Sequence, residues 1–418
     1  MSDLFILAGT RTPFCRMGSD FDSLTADDLG RHAVTSLLLQ TGLDPAEIDE
    51  VIFGCVSQPP EAQNIARVIA LRSGIPEKVP AVTVHRNCAS GMEAITTAHQ
   101  RMLAGQGELF LVGGAESMSG IPLLFPHSAV EKFNNLNRAK EAGKKLTALT
   151  SFDVKDLTPR VGLQMGLTDP YSGLIMGDTA EILAREFGIT REEQDAFAAE
   201  SQRKARAAAD KLKGETSPVY VNGKAVSADN GIREDSTPEK LATLKPIFDK
   251  QTGTVTAGNS SQVTDGAVAL LVGSEAAAAR LGLEPLGRLT GYAYTGCDPR
   301  RMGLGPVSAI GLAKQRTGLS PCDADIVEIN EAFAAQVLAV LAALKDPQRC
   351  GHNQTPVVID PAKINRRGGA IALGHPVGAT GARLVLTALD QLRETGGKRA
   401  LTTLCVGGGQ GAALWLER

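Results

Sequence analysis

The stretch His85-Arg-Asn-Cys-Ala-Ser-Gly91 decides the fold. A short β-prone run, 81–84, precedes it. An amphipathic helical pattern, 90–104, follows, and a second apolar run, 108–112, ends at Gly113-Gly114. Strand, loop, helix and strand in that order form the unit of α/β layering. The plan returns near the C-terminus. There Gly378-Ala-Thr-Gly381 opens a helical pattern over 378–392 that reaches Gly396, and the run 401–405 leads to Gly407-Gly408. Two copies of one unit predict a duplicated chain, with Cys88 and His375 at equivalent helix N-termini. Two independent α/β units with ordinary glycine usage also produce short matches. The matched order favours duplication.

Outward from these units, further strand candidates are 4–8, 50–54, 267–272, 287–294 and 326–329. Further helix candidates are 26–40, 61–72, 194–209 and 332–343. The region 120–250 differs. It is more charged and turn-rich, with helical patterns only near 179–186 and 192–209. It predicts an insertion carried by the α/β body, with loops free to form a binding site. A length of 418 residues predicts two or three packed units.

Composition removes several function classes. Hydrophobic residues are 43% and charged residues 21%, an ordinary globular balance. A formal net charge of -3 gives no global basic field for nucleic acid or an anionic membrane. No apolar run is long enough to predict a transmembrane segment. The first ten residues lack a basic n-region and read as a strand rather than a leader. Seven cysteines are scattered without a C-x-x-C pair. Neither a disulfide framework nor a structural metal site is expected, and a reducing cytoplasm is the expected compartment.

Five segments carry candidate chemistry. Cys88 stands at a helix N-terminus among small residues, where unpaired N–H groups and the dipole favour a thiolate. That position predicts a nucleophile with a lowered pKa; the bland alternative is a buried cysteine in a cap. His375, in the glycine-rich segment 368–381, stands at the mouth of the next helix, where a neutral imidazole can take a thiol proton. Cys405 ends a strand that gives way to Gly407-Gly-Gly409, whose backbone N–H groups can converge on an oxyanion. That segment does not meet the dinucleotide spacing, because position 412 is alanine. Asn330 lies where a strand runs into a helix, and reads alone as a helix cap. The small polar residues of 257–266 either line an extended ligand or form a surface turn.

Together these segments resemble the thiolase family over essentially the full chain. The matches are N-C-A-S-G at 87–91, G-G-A-E-S-M at 113–118, M-G-D-T-A-E at 176–181 and T-V-T-A-G-N-S-S at 254–261. They continue with N-E-A-F-A at 330–334, G-G-A-I-A-L-G-H-P at 368–376 and C-V-G-G-G at 405–409. The resemblance implies the thiolase fold, an α/β body of five αβαβα layers built from two βαβαβαββ halves. It implies an N-terminal half over 1–118, completed by 249–278. A loop domain over 119–248 covers the active site, and the C-terminal half spans 279–418.

Carried over residue by residue, the resemblance makes Cys88 the acylated nucleophile and His375 the base that also helps bind the thioester oxygen. Cys405 becomes the second acid/base, and Asn330 the holder of a water in one oxyanion hole. The N–H groups of Cys88 and Gly407 form the other. Arg233, Phe248, Ala257, Ser261 and Phe333 fall where the family contacts CoA, and Met176 falls beside the acyl pocket. CoA is then a substrate, no cofactor is held permanently, and no metal is required.

Ile175 stands where short-chain biosynthetic members typically carry histidine. The long stretch 120–171 and the extra residues 346–363 also look more like β-oxidation thiolases, and are similar to the thiolase subunit of the trifunctional fatty-acid oxidation complex. Two positions depart from pattern: that subunit usually has histidine at Asn330, and many thiolases have a CoA-contacting serine at Lys240. The rival readings are a short-chain acetyl-CoA acetyltransferase, a decarboxylating ketoacyl synthase and a non-catalytic acyl-CoA or lipid binder. The C-V-G-G-G segment argues against the synthase, which wants a second histidine, and the intact Cys88, His375, Asn330 and Cys405 argue against the binder.

A homodimer or tetramer is expected, partly because an edge strand near 108–112 would need covering. Val130, Phe133 and Leu136 predict one helix with an apolar stripe inside the basic segment 128–150. It is a candidate docking surface for a hydratase/dehydrogenase subunit or an anionic membrane surface. The simpler alternative is a solvated loop whose lysines attract the CoA phosphates.

Overall fold

Local signals set the first elements. The computed structural model describes residues 3–350 and 355–418. Strand β1 spans Leu4–Arg11. Thr25 then caps helix α1 (Ala26–Thr41) through a capping box with Asp28, and Gly42 ends it in the left-handed conformation. Strand β2 (Glu50–Gly54), helix α2 (Ile65–Arg72), strand β3 (Ala81–Val84), helix α3 (Ser90–Leu103) and strand β4 (Leu109–Glu116) follow. The inserted region contributes α4 (His127–Arg138), α5 (Ala142–Thr150), α6 (Met176–Phe187) and α7 (Arg191–Ala207). Strand β5 (Thr264–Gly273) returns the chain to the first half.

The second half runs β6 (Gly287–Gly296), α8 (Gly305–Thr317), β7 (Ile326–Ile329) and α9 (Ala334–Lys345). It ends with α10 (Val377–Thr395), β8 (Arg399–Val406) and β9 (Gln410–Glu417). Strand β9 was not among the sequence candidates. It follows Cys405 through a glycine hairpin and is almost wholly apolar, so no alternation announces it. The insertion is more helical than expected: the helix predicted around Val130, Phe133 and Leu136 is α4, and a second helix, α5, follows it. Part of the extra stretch 346–363 lies outside the described residues.

The strand order shows the duplication. The first half is ordered β3-β2-β4-β5-β1 and the second β7-β8-β9-β6. In the first, β2 runs parallel to β3 and β4, and β5 is antiparallel to β4 and β1. In the second, β7 runs parallel to β8, and β9 is antiparallel to β8 and β6. Among the described residues the second half has no third parallel strand, and Ile364 makes a parallel bridge to Val327 there. Strands β1 and β6 join the halves, Leu4–Ile6 against Gly287–Leu289.

Five layers follow from which way the strand residues point. Ile52 and Val112 face inward to α3 and α10, together with Leu404 and Leu414 of the other half. Their neighbours Val51, Phe53 and Leu111 face outward to α1 and α2. Val327, Leu401 and Trp415 face α8 and α9. The order is therefore helices, strands, central helices, strands, helices. The central pair cross at two glycines. A Cβ on Gly91 would lie 2.6 Å from the Ala382 nitrogen, and one on Gly381 would lie 2.6 Å from the Met92 nitrogen. These reciprocal contacts place 91 and 381 as equivalents, as the sequence echo predicts.

One expectation changes. Strand β4 is interior, flanked by β2 and β5, and the sheet edges are β3 and β7. The short apolar run looked like an edge because its neighbours lie far away in sequence.

Candidate active site

Strand β3 delivers the chain to Cys88 through a strained elbow. Asn87 takes a left-handed φ of 42°, unusual for a residue with a side chain. Three bonds hold the elbow. Ser90 Oγ accepts from the Arg86 N–H (2.9 Å) and donates to the Asn87 carbonyl (2.7 Å). Asn87 Nδ2 donates to the Gly407 carbonyl of the other half, 2.7 Å away. Cys88 is thereby presented, half-buried, on the wall of a cavity of about 490 Å³. The N–H groups of Gly407 and of Cys88 itself face the sulfur and favour its anion. Burial outweighs them and raises the thiol pKa. The expected lowered pKa is therefore corrected: the dipole is present, but the apolar surroundings win.

The second half supplies two more groups. His375 follows a short helix, Ala370–Leu373, and the left-handed Gly374. Its N–H donates to the Gln262 carbonyl (3.2 Å). Its Nδ1 lies 2.6 Å from Thr380 Oγ, whereas its Nε2 is buried without a hydrogen-bond partner. Burial, and then the Arg383 guanidinium, pull its pKa down to about 4, so the resting imidazole is neutral. Cys405, at the end of β8, is fully buried. Burial, with Cys88 and Cys297 nearby, pushes its thiol well above the usual range. Cys88, His375, Cys405 and Gly407 all line the one cavity. Resting charge is thus absent: two thiols and a neutral base face one another.

Asn330 lies behind this wall. Its backbone N–H donates to the Thr403 carbonyl (3.0 Å). Its side-chain Nδ2 and Oδ1 are both buried with no protein partner. A buried amide left bare is costly unless water or ligand meets it. Next to it, the buried Glu331 carboxylate accepts from Ser201 (2.6 Å), Asn365 (2.7 Å) and the Ile371 N–H (3.2 Å). That knot ties α7 and the segment before His375 to the Asn330 loop. Glu116 plays a similar part in the first half. It accepts from the Val56, Ser57 and Gly378 N–H groups at 3.1, 2.8 and 2.8 Å, pinning the start of α10.

The remaining predicted residues divide. Met176, Ser261 and Phe333 line the cavity. Phe248 meets Phe333 edge-on, ring centroids 6.1 Å apart, and leans on Gly177, where a Cβ would lie 2.1 Å from its ring. Ser261 is held by the Ala332 carbonyl (2.9 Å). Arg233 and Ala257 are exposed and outside the cavity lining. The M-G-D-T-A-E motif is chiefly a clamp, since Glu181 accepts from the Thr254 and Val255 N–H groups, both at 2.9 Å.

The apolar lining was not anticipated. Met118, Ile121, Leu163, Met165, Leu167 and Met302 join Met176, so that four of the chain's eight methionines face this space. Methionines spread over such distances carry no local pattern; only the fold collects them. Thr380 was also missed, although a hydroxyl five residues after a histidine at a helix start is a signal that could have been read. Among the described residues, no group of three His, Cys, Asp or Glu side chains is arranged to hold a metal ion.

Comparison with known proteins agrees with this geometry. The Thiolase N-terminal domain model matches residues 4–276 and the Thiolase C-terminal domain model matches 283–418. A 3-ketoacyl-CoA thiolase of Pectobacterium atrosepticum is 41% identical over 98% of this chain and 95% of its own. A probable acetyl-CoA acyltransferase of Staphylococcus aureus is 42% identical over 99% and 98%. Human mitochondrial 3-ketoacyl-CoA thiolase in complex with CoA superposes with a TM-score of 0.87 at 38% identity, covering 100% of this chain and 98% of that one. Bacillus anthracis acetyl-CoA acetyltransferase gives the same TM-score at 36% identity, covering 100% and 99%. With both halves matched, the fold shared and an apolar thiol–imidazole–thiol cavity between them, the chain belongs to the thiolase family and is an acyltransferase.

Proposed function

We propose that the chain is a 3-ketoacyl-CoA thiolase of fatty-acid β-oxidation, moving an acyl group from a 3-ketoacyl-CoA to CoA with release of acetyl-CoA. The observation that carries this reading is the convergence of Cys88, His375 and Cys405 on one apolar cavity, with a bare imidazole nitrogen among them. Cys88 Sγ gives its proton to His375 Nε2 and attacks the keto carbon. The resulting oxyanion is met by the Cys88 and Gly407 N–H groups. Collapse breaks the bond between the α- and keto-carbons and leaves the acyl group on Cys88. The departing enolate is held at its thioester oxygen by His375 and a water on Asn330, and takes its proton from Cys405. CoA then gives its thiol proton to Cys405, and its sulfur attacks the acyl-cysteine; the Cys88 sulfur leaves and recovers its proton from His375, closing a two-step cycle.

The seven-residue apolar wall from Met118 to Met302 suits an acyl chain longer than acetyl. Ser261, Phe333 and Phe248 are suited to the pantetheine arm, and the exposed Arg233 and Ala257 to the nucleotide end. The human relative named above is described in complex with CoA. Residues 119–248 act as the loop domain that closes the site. A reducing cytoplasm fits seven scattered cysteines without a C-x-x-C pair. No helix among the described residues is long and apolar enough to cross a membrane. Thiolysis of acetoacetyl-CoA and of a long-chain 3-ketoacyl-CoA, assayed in parallel, tests the proposal. Cleavage of both, faster with the long chain, is expected. Cleavage of acetoacetyl-CoA alone would make the chain a short-chain acetyltransferase, and cleavage of neither would leave a binder.

Assembly as a homodimer or tetramer is supported by the half-buried edge strand β3. The α4–α5 hairpin supports a further contact. Val130, Phe133, Leu146 and Leu149 are exposed at 41–63%, beside Lys140 and Lys145. This face suits a hydratase/dehydrogenase subunit or an anionic membrane surface. Charge reversal at Lys140, Lys144 and Lys145 should abolish co-purification or liposome binding while thiolysis of a short substrate persists; a weaker affinity for CoA instead would count against docking.

A further inference from the structure

Acylation by acetyl-CoA followed by binding of a second acetyl-CoA asks two opposite things of one nitrogen. To take the Cys88 proton, His375 Nε2 must be bare, with the ring proton on Nδ1. Once that proton has left with the departing CoA, a neutral ring supports the thioester oxygen of the second acetyl-CoA only if Nε2 carries the remaining proton and Nδ1 is bare. A buried imidazole with a fixed partner at Nδ1 serves only one of these states, since a carbonyl there accepts only and an amide N–H donates only.

The partner here is a hydroxyl. Thr380 Oγ is 2.6 Å from Nδ1 and 2.9 Å from the Pro376 carbonyl. That carbonyl already accepts from the Ala379 and Thr380 N–H groups, both at 2.9 Å. The hydroxyl proton is therefore not committed to it. With the proton turned to Pro376, Oγ accepts from Nδ1–H and Nε2 is a bare base. With the proton turned to Nδ1, the hydroxyl donates and Nε2–H faces the cavity as a donor. Thr380 is fully buried, so no solvent competes for either arrangement.

We propose that Thr380 is a positioning residue whose rotating hydroxyl lets His375 alternate between the two neutral tautomers that the two half-reactions require. The equivalent hydroxyl of the first half, Ser90, is spent on backbone groups on both sides and has no such freedom. The inference rests on the thiolase reading.

The test uses Thr380→Val, which keeps the shape and removes the hydroxyl, and Thr380→Ser, which restores it. Without the hydroxyl, a buried Nδ1–H has no acceptor, and the proton settles on Nε2, where the cavity can hold water. The rate of Cys88 acetylation by acetyl-CoA, followed by peptide mass analysis, should then fall about 10²-fold in the valine variant. In that step Cys88 loses its proton, gains the acetyl group, and the proton leaves with CoA as its thiol. The serine variant should acetylate within a few-fold of wild type. Nitrogen-15 spectra of labelled histidine should show the His375 ring moving to a single Nε2–H tautomer in the valine variant, with the fold and KM for acetyl-CoA retained. A valine variant that acetylates as fast as wild type, or a ring signal that does not move, overturns the inference. If wild type itself is not acetylated on Cys88, the thiolase reading fails instead. If the valine variant does not fold, the serine variant and the wild-type ring signal decide, since a wild-type ring locked in one tautomer also overturns it.

Discussion

The N-termini of α3 and α10 are two versions of one device. They cross at Gly91 and Gly381, and each carries a hydroxyl at the matching position, Ser90 or Thr380. They differ in what the first turn holds. The α3 terminus is locked by backbone contacts, the strained Asn87 and the bond from Asn87 to the Gly407 carbonyl, so it presents a thiol in one place. The α10 terminus is anchored at Gly378 by Glu116, but its hydroxyl is turned to an imidazole ring rather than to the elbow. The lesson is a division of labour inside a duplication. One copy holds a thiol rigidly, and the other holds a neutral imidazole against a hydroxyl.

The sharpest way to break the comparison is to remove the α3 thiol. Cys88→Ala should reduce thiolysis by about 10⁴-fold or more, as expected for loss of a covalent nucleophile. Circular dichroism and the unfolding midpoint should stay close to wild type, because the thiol makes no structural bond. Residual activity within tenfold of wild type would move the nucleophile elsewhere.

Cys405 sharpens the contrast from the other half. Cys405→Ser should slow exchange of acetyl-CoA α-protons by about 10²-fold, the range of a lost general acid or base. Acetylation of Cys88 should suffer much less. Equal, small losses in both assays would contradict separate roles for His375 and Cys405.

Acid stability reports on the α10 side alone. The His375 pKa is depressed from 6.5 to about 4 in the folded chain. Its contribution to stability is therefore complete above pH 6.5 and is lost as the pH falls towards 4. Relative to His375→Gln, wild type should lose about 2 kcal/mol between pH 7 and pH 5 in denaturant titrations. Parallel curves for the two proteins would mean that the buried imidazole charges as easily as a free one.

The smallest effect concerns the crossing itself. Gly91→Ala and Gly381→Ala each drive a methyl group to within 2.6 Å of a backbone nitrogen. Each should cost about 1–3 kcal/mol, and the two costs should be similar if the pseudo-two-fold is real. A cost at only one of them would show that the halves pack asymmetrically there.

Much of this was legible in the chain. The echo around Cys88 and Gly378 predicted two equivalent helix N-termini, and the reciprocal glycine contacts bear it out. Continuous apolar runs such as 109–112 read as strands because both their faces are covered. Strand edges were not legible. Which runs become neighbours depends on crossovers that the sequence does not spell out, and the run near 108–112 turned out to be interior. The Cys88 pKa was misjudged for a related reason. The helix start is a local feature, whereas the burial that outweighs it is built by residues from both halves of the chain.

The sequence by itself determined the acyltransferase family and the duplicated α/β plan, and it singled out the two thiols, the imidazole and the amide as candidates, because each lies in a short motif of distinctive local pattern. Only the tertiary structure decided that the two thiols and the imidazole share one apolar cavity and that both amide atoms of Asn330 stand without a protein partner. It alone decided that the His375 ring meets a hydroxyl, Thr380 Oγ, 2.6 Å from its Nδ1. Those properties depend on burial and on distances between segments, and both arise when the halves close on each other.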